Sequence, residues 1–151
     1  MKNLQEIKKK LYEACLLFVA KKHNTVTTII ESNKKAFFSE TKSSAGDKHE
    51  TGRAMLQLEM EKASQQLASI IEMKVVLAKI EILKTSEIIC LGSLIKTTKT
   101  NYYLAISAGE ITIEDIPYYA VSTNSPIGKQ LLGRVVGDCI PFNQTEIVSI
   151  Y

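Results

Sequence analysis

The sequence predicts an α+β fold: a long antiparallel helical hairpin of coiled-coil character over residues 1–84, then a small antiparallel sheet domain with one short helix over residues 85–151. Three observations carry this. From Asn3 to about Glu40 no Pro or Gly interrupts apolar residues that recur three and four apart. A second run of the same texture fills Thr51 to Lys84, after the short polar stretch "KSSAGDKHETGR", Lys42 to Arg53. Beyond "LKTSE" the chain breaks into short β-rich pieces separated by Gly, Asn, Ser and Thr.

The first helix is read from Leu4, Ile7, Leu11, Ala14, Cys15 and Phe18, and again from Val26, Ile29, Ile30, Ala36 and Phe37. Between the two sets, "HNTVTT" combines Asn with four β-branched residues of poor helix propensity. A kink or a fresh N-cap near Asn24 or Thr25 is expected there. The second helix carries a heptad-like seam through Leu56, Met60, Ala63, Leu67, Ile70, Lys74 and Leu77, with Lys74 as its polar break. Two such helices joined by a short turn bury their seams against each other, and from Asp47 to Lys84 the arm would reach roughly 55 Å. "EIICLG", "SLIKTT", "NYYLAIS", "EITI", "YYAVST" and "TEIVSIY" read as strands. "SPIGKQLLG" reads as the short helix, with Ser125 as cap, Pro126 at the first position and Gly133 as the stop.

Composition is that of an ordinary globular chain, 45% hydrophobic and 23% charged over 151 residues, and it names no function. Charge is divided: 15 Lys and Arg against 10 Asp and Glu through Lys84, then 4 against 6. A basic helical half suits an approach to nucleic acid or an acidic channel, although charge alone favours the blander reading of a solvated Lys-rich face. No apolar run reaches the roughly 18 residues a membrane span needs, and none with a cleavage site follows Met1, so a cytoplasmic protein without a membrane partner is expected. Cys15, Cys90 and Cys139 are odd in number and widely spaced, which argues against a disulfide framework or a structural zinc site. Both histidines lie in the helical half, away from Cys90 and Cys139, so a Cys–His nucleophile has no support. Tyr102, Tyr103, Tyr118 and Tyr119 suit base stacking less than packing, because neighbours on a strand face opposite ways.

The stretch "SPIGKQLLGRVVGD", Ser125 to Asp138, with Ser122 before it, resembles the C-terminal signature of the Gre-type transcript cleavage factors. Ser122, Ser125, Pro126, Ile127, Gly128, Leu131, Leu132, Gly137 and Asp138 match, while Gln130 stands where a small residue is usual. Gly46, Asp47, Lys48, His49 and Glu50 keep the spacing of that family's Gly-Asp-x-x-Glu hairpin tip. The resemblance implies an FKBP-like sheet domain that docks at the rim of the secondary channel of bacterial RNA polymerase. Its partner contacts would come from Ser125, Pro126, Ile127, Gly128, Lys129, Leu132, Arg134 and Asp138. It further implies a hairpin that enters the channel as a monomer and carries Asp47 and Glu50 to a Mg²⁺ shared with the polymerase, so that backtracked nascent RNA is cleaved. The chain would then be an accessory to another enzyme.

The residues themselves leave alternatives open. Two carboxylates cannot hold Mg²⁺ tightly alone, because that ion keeps several waters and shares phosphate oxygens, so the chemistry needs a second active site around it. Asp47 and Glu50 at this spacing also read as a capping box for the second helix. Lys48, His49 and Arg53 make the tip less anionic, which suits a regulator that occupies the channel without supporting cleavage. A free-standing coiled-coil adaptor is the third reading.

Overall fold

The computed structural model describes residues 3–42 and 47–151, with the side chains of 40–42 and 47–50 outside that description. The order of elements is α1 (Leu4–Lys42), α2 (Asp47–Ala78), β1 (Leu94–Thr97), β2 (Asn101–Ala105), β3 (Gly109–Ile113), β4 (Ile116–Ser122), α3 (Pro126–Leu131), β5 (Cys139–Ile140) and β6 (Thr145–Ile150). The fold is α+β: a long helical pair, a six-stranded sheet and one short helix.

Asn3 caps α1, its Oδ1 accepting from the Gln5 N–H at 3.1 Å. The expected break at "HNTVTT" does not occur, and α1 runs through it. The Thr25 and Thr28 hydroxyls donate to the carbonyls of Lys21 and Asn24, and Thr27 to those of His23 and Asn24. Their hydroxyls thus find partners on the preceding turn, so the helix holds them without leaving a polar group unpaired. α2 stops at Ala78, short of the predicted Lys84. Isolated turns follow, with Ile80 N–H donating to Leu77 O, and they lead Ile80 into the core.

Two compact units emerge: Met1–Phe18 with Val75–Tyr151, and Val19–Lys74. This division differs from the predicted boundary at 84, because the first turns of α1 and the end of α2 pack with the sheet. Within the Val19–Lys74 unit the seam buries Val19, Val26 and Asn33 on α1 and Ala63 and Ile70 on α2, each seven residues apart within its helix. Phe37 of α1 lies under the Arg53 guanidinium of α2, 5.5 Å from the ring centroid. Lys74, expected in the seam, is exposed, and Met73 is half-buried instead. A straight helix drifts against a strict heptad, and the ammonium takes the wetter of two adjacent positions.

The sheet order is β3-β4-β2-β1-β6-β5, and it is mixed where an antiparallel one was expected. β2 and β4 are parallel, with Tyr102 opposite Tyr119 and Leu104 opposite Val121. The physical reason lies in the connection: after the bend at Ile106 the chain skips one strand position to form the edge strand β3, and the tight turn at Glu114 and Asp115, with φ of 52° and 66°, sends it back. The return strand β4 then slots between β3 and β2. "EIICLG" is no strand, and its Ile89 is pinned instead by Gly133 N–H to Ile89 O and Ile89 N–H to Arg134 O, both 2.9 Å. One face of the sheet gathers Tyr102, Leu104, Ile95, Ile147 and Ile140 with Ile89 and with Leu131 of α3. Tyr103, on the alternate face, is buried within electrostatic reach of Cys15 and Tyr12 of α1. No helix among the described residues is long and apolar enough to cross a membrane.

Lys8 ties this unit together. Only 1% exposed, its ammonium donates to Lys84 O at 3.0 Å and Tyr151 O at 3.2 Å, and sits 5.3 Å from the Tyr151 ring centroid. Burial holds its pKa below 10.5, the neighbouring Cys90 partly opposing the shift. Burial pushes the Cys15 thiol the other way, from 9.0 up to about 12. The two shifts have opposite consequences for stability. The fold binds the Lys8 proton less tightly than the unfolded chain does, so the Lys8 contribution grows as pH rises through its folded pKa toward 10.5. The Cys15 contribution is complete below pH 9 and is lost as pH rises toward 12. Between pH 9 and 10 the Cys15→Val variant should therefore escape a loss of about 1 kcal/mol. Lys8→Met should show a steeper alkaline loss than wild type, and Lys8→Ala should cost about 2 to 3 kcal/mol at pH 7. Urea midpoints across pH 7 to 10 read all three, and parallel curves for wild type and Cys15→Val would contradict the burial of that thiol.

Candidate functional site

α1 ends at Lys42 and α2 begins at Asp47, so Asp47 and Glu50 stand in the first turn of α2, where the antiparallel pair reverses. Residues three apart in a helix share a face, which brings the two backbone positions to one side of that turn. Gly46 and the side chains of Asp47, Lys48, His49 and Glu50 lie outside the described residues. Arg53, the next position along that face, holds its guanidinium over Phe37 and fixes a positive charge close to the turn. Among the described residues no group of three or more His, Cys, Asp or Glu gathers as a metal site.

The signature stretch forms a capped corner at the end of β4. Ser125 is the N-cap of α3: its hydroxyl accepts from Gly128 N–H at 3.0 Å and donates to Ser122 O at 2.7 Å. Pro126 takes the first helical position, where no N–H is needed. The Ser122 carbonyl passes so near Gly128 that a Cβ there would stand 1.8 Å from its oxygen. Gly133, at φ +84°, ends the helix. Asp138 closes the following turn, its Oδ2 accepting from Val135 N–H at 3.0 Å, while its carbonyl accepts from Ile147 N–H.

This geometry sorts the eight residues predicted to touch a partner. Ser125, Gly128 and Asp138 have their polar or backbone groups engaged within the domain, and Arg134 donates through Nε to Gln130 O at 2.9 Å. Pro126 and Lys129 face solvent, and Leu132 is 48% exposed beside exposed Val135 and Val136. Ile127 is half-buried and lines a shallow groove of about 310 Å³ with Thr100, Tyr102, Tyr119, Val121 and Phe142. Asn143 Nδ2 donates to the Tyr102 hydroxyl at 3.2 Å and steadies that wall.

Sequence reasoning missed the groove residues as a group. Tyr102 and Tyr119 meet only through the parallel pairing of β2 with β4, which no local pattern signals. Phe142, 61% exposed after Pro141, carried a fainter cue: an aromatic in a polar "PFNQ" turn has little to pack against locally. What the corner can do chemically is present an apolar, aromatic-walled surface flanked by the Lys129 charge. No family model matches the chain, and a search of curated proteins finds no match.

Proposed function

We propose that this chain is a cytoplasmic, monomeric accessory factor of bacterial RNA polymerase that stimulates cleavage of backtracked nascent RNA, as its resemblance to the Gre-type factors implies. The reading is supported above all by one observation: Asp47 and Glu50 occupy the first turn of α2, where an antiparallel helical pair reverses. A Mg²⁺ held jointly with the polymerase would activate water and stabilise the leaving oxygen. Asp47 and Glu50 would supply hard oxygen donors from one face of that first turn and orient the waters such an ion retains. The sheet unit supplies docking, for which half-buried Ile127 and exposed Tyr119 and Phe142 of the groove, with exposed Lys129 and Leu132, are the contacts. Ser125, Gly128 and Asp138 act in this reading by holding the corner in shape.

One observation favours a second reading, a channel-occupying regulator without cleavage. Arg53 is held over Phe37, one helical turn after Glu50 in sequence, so a fixed positive charge near the end of the helical pair opposes an incoming cation. RNA cleavage in a stalled, backtracked elongation complex decides between them, with wild type beside the Asp47→Ala, Glu50→Ala double variant. Stimulation by wild type alone supports the cleavage role. Binding without stimulation by either protein supports the regulator, and a protein that never binds polymerase removes both.

A further inference from the structure

We infer that the gap between α1 and α2 around Asn33 is a binding site for a small apolar carboxylate, a medium-chain fatty acid in chemical class. The gap, of about 400 Å³, is walled by Phe37, Phe38, Leu56 and Met60, with Asn33, Lys34 and Gln57 as its polar members. A volume of this order, mostly apolar with a few placed polar groups, suits a small molecule. Asn33 occupies the seam seven residues after Val26, at a position where the helices otherwise bury Val and Ile. It is 8% exposed, and its Nδ2 has no hydrogen-bond partner among the described residues. A buried amide donor of this kind calls for an acceptor.

The occupant's chemistry follows from the lining. Gln57 lines the same gap but does not accept from Nδ2. Lys34, one residue along from Asn33, supplies positive charge, and no carboxylate among the described residues lines the gap. An anionic acceptor is therefore favoured over a neutral one. The four remaining walls are hydrocarbon, aromatic and thioether, so the body behind that head is apolar. A helix of a second chain, about 10 Å across, is too wide to bring an acceptor to a buried amide between two helices. A water molecule answers the amide and leaves the walls wet. A slender carboxylate satisfies both, and the site is independent of any action on polymerase.

The test titrates the full chain with sodium octanoate below its micelle concentration, following ligand-observed saturation-transfer NMR and the thermal unfolding midpoint, with acetate and 1-octanol as head-only and tail-only probes. Saturable one-to-one binding of octanoate is expected, weaker binding of octanol, none of acetate, and a rise in midpoint with octanoate concentration. Asn33→Leu should weaken octanoate at least about tenfold, and Lys34→Gln should erase the preference over octanol. Met60→Trp, which fills the gap, should abolish binding in a chain whose helical circular dichroism is unchanged, and it serves if Asn33→Leu does not fold. Absence of saturable binding by wild type up to millimolar octanoate, or equal binding by wild type and Met60→Trp, overturns the assignment.

Discussion

Gly128→Ala is expected to destabilise the protein by roughly 3 to 5 kcal/mol. The new Cβ would lie 1.8 Å from the Ser122 oxygen, 2.9 Å from its carbon and 2.9 Å from Ser125 Oγ. Two of those atoms are backbone, so the clash cannot be relieved by turning a side chain. α3 must move off the end of β4, and in doing so it gives up the Ser125 cap and unseats Leu131, which is fully buried. Set against a typical total stability of about 5 to 15 kcal/mol, such a loss leaves the sheet unit marginal. Gly109→Ala is the control: its φ of +77° is strained for alanine, but no atom lies within 4 Å of the added Cβ. It should cost only about 1 to 2 kcal/mol. Urea unfolding measures both, and a Gly128→Ala midpoint equal to that of Gly109→Ala would refute the close approach.

The second large effect separates the two roles open to the carboxylates at the helical turn. Asn is as good an N-cap as Asp, so Asp47→Asn keeps a capping group while removing a charged ligand. Glu50→Gln likewise keeps the hydrogen-bonding shape of a capping box. If the carboxylates position Mg²⁺, the combined Asp47→Asn, Glu50→Gln variant should lower stimulated cleavage roughly 100-fold, the upper range for losing groups that orient a metal's ligands. Raising Mg²⁺ should recover part of the rate, and thermal stability should stay within about 0.5 kcal/mol of wild type. A capping role predicts the reverse pattern, with cleavage insensitive to the amides and stability sensitive to Asp47→Ala by about 1 kcal/mol. Cleavage rates at two Mg²⁺ concentrations, alongside melting curves, distinguish them.

Local chemistry was the readable part of this sequence. α3 was found to within a residue because Ser125, Pro126 and Gly133 each act on the backbone next to them. The helical pair was found because its seam repeats at helical spacing. The threonines of "HNTVTT" misled because propensity weighs a residue alone, whereas each hydroxyl finds a carbonyl on the previous turn. "EIICLG" misled because its apolar residues do enter the core, but through two hydrogen bonds to Gly133 and Arg134 and not through a strand ladder. The parallel pairing of β2 with β4, the Tyr119–Phe142 groove and the unanswered amide of Asn33 depend on residues far apart in the chain. No window of a dozen residues contains them. The carboxylates at the turn were visible by spacing, and their side-chain geometry lies beyond the described residues.

The clamp of Lys8 on Tyr151 joins residues 143 positions apart and so orders the birth of the protein on the ribosome. The Val19–Lys74 unit is one continuous stretch and can assemble as soon as it clears the exit tunnel. The other unit combines Met1–Phe18 with Val75–Tyr151, segments far apart in the chain, and its inner strand β1 lies between β2 and β6. Until Tyr151 is synthesised, the nascent chain carries Ile7, Leu11 and Cys15 uncovered and β1 with one edge open. Exposed apolar surface and an open edge are what chaperones bind and what aggregates grow from. Stalled nascent chains truncated before β6 should therefore be captured by ribosome-associated chaperones, and release should follow synthesis of β6.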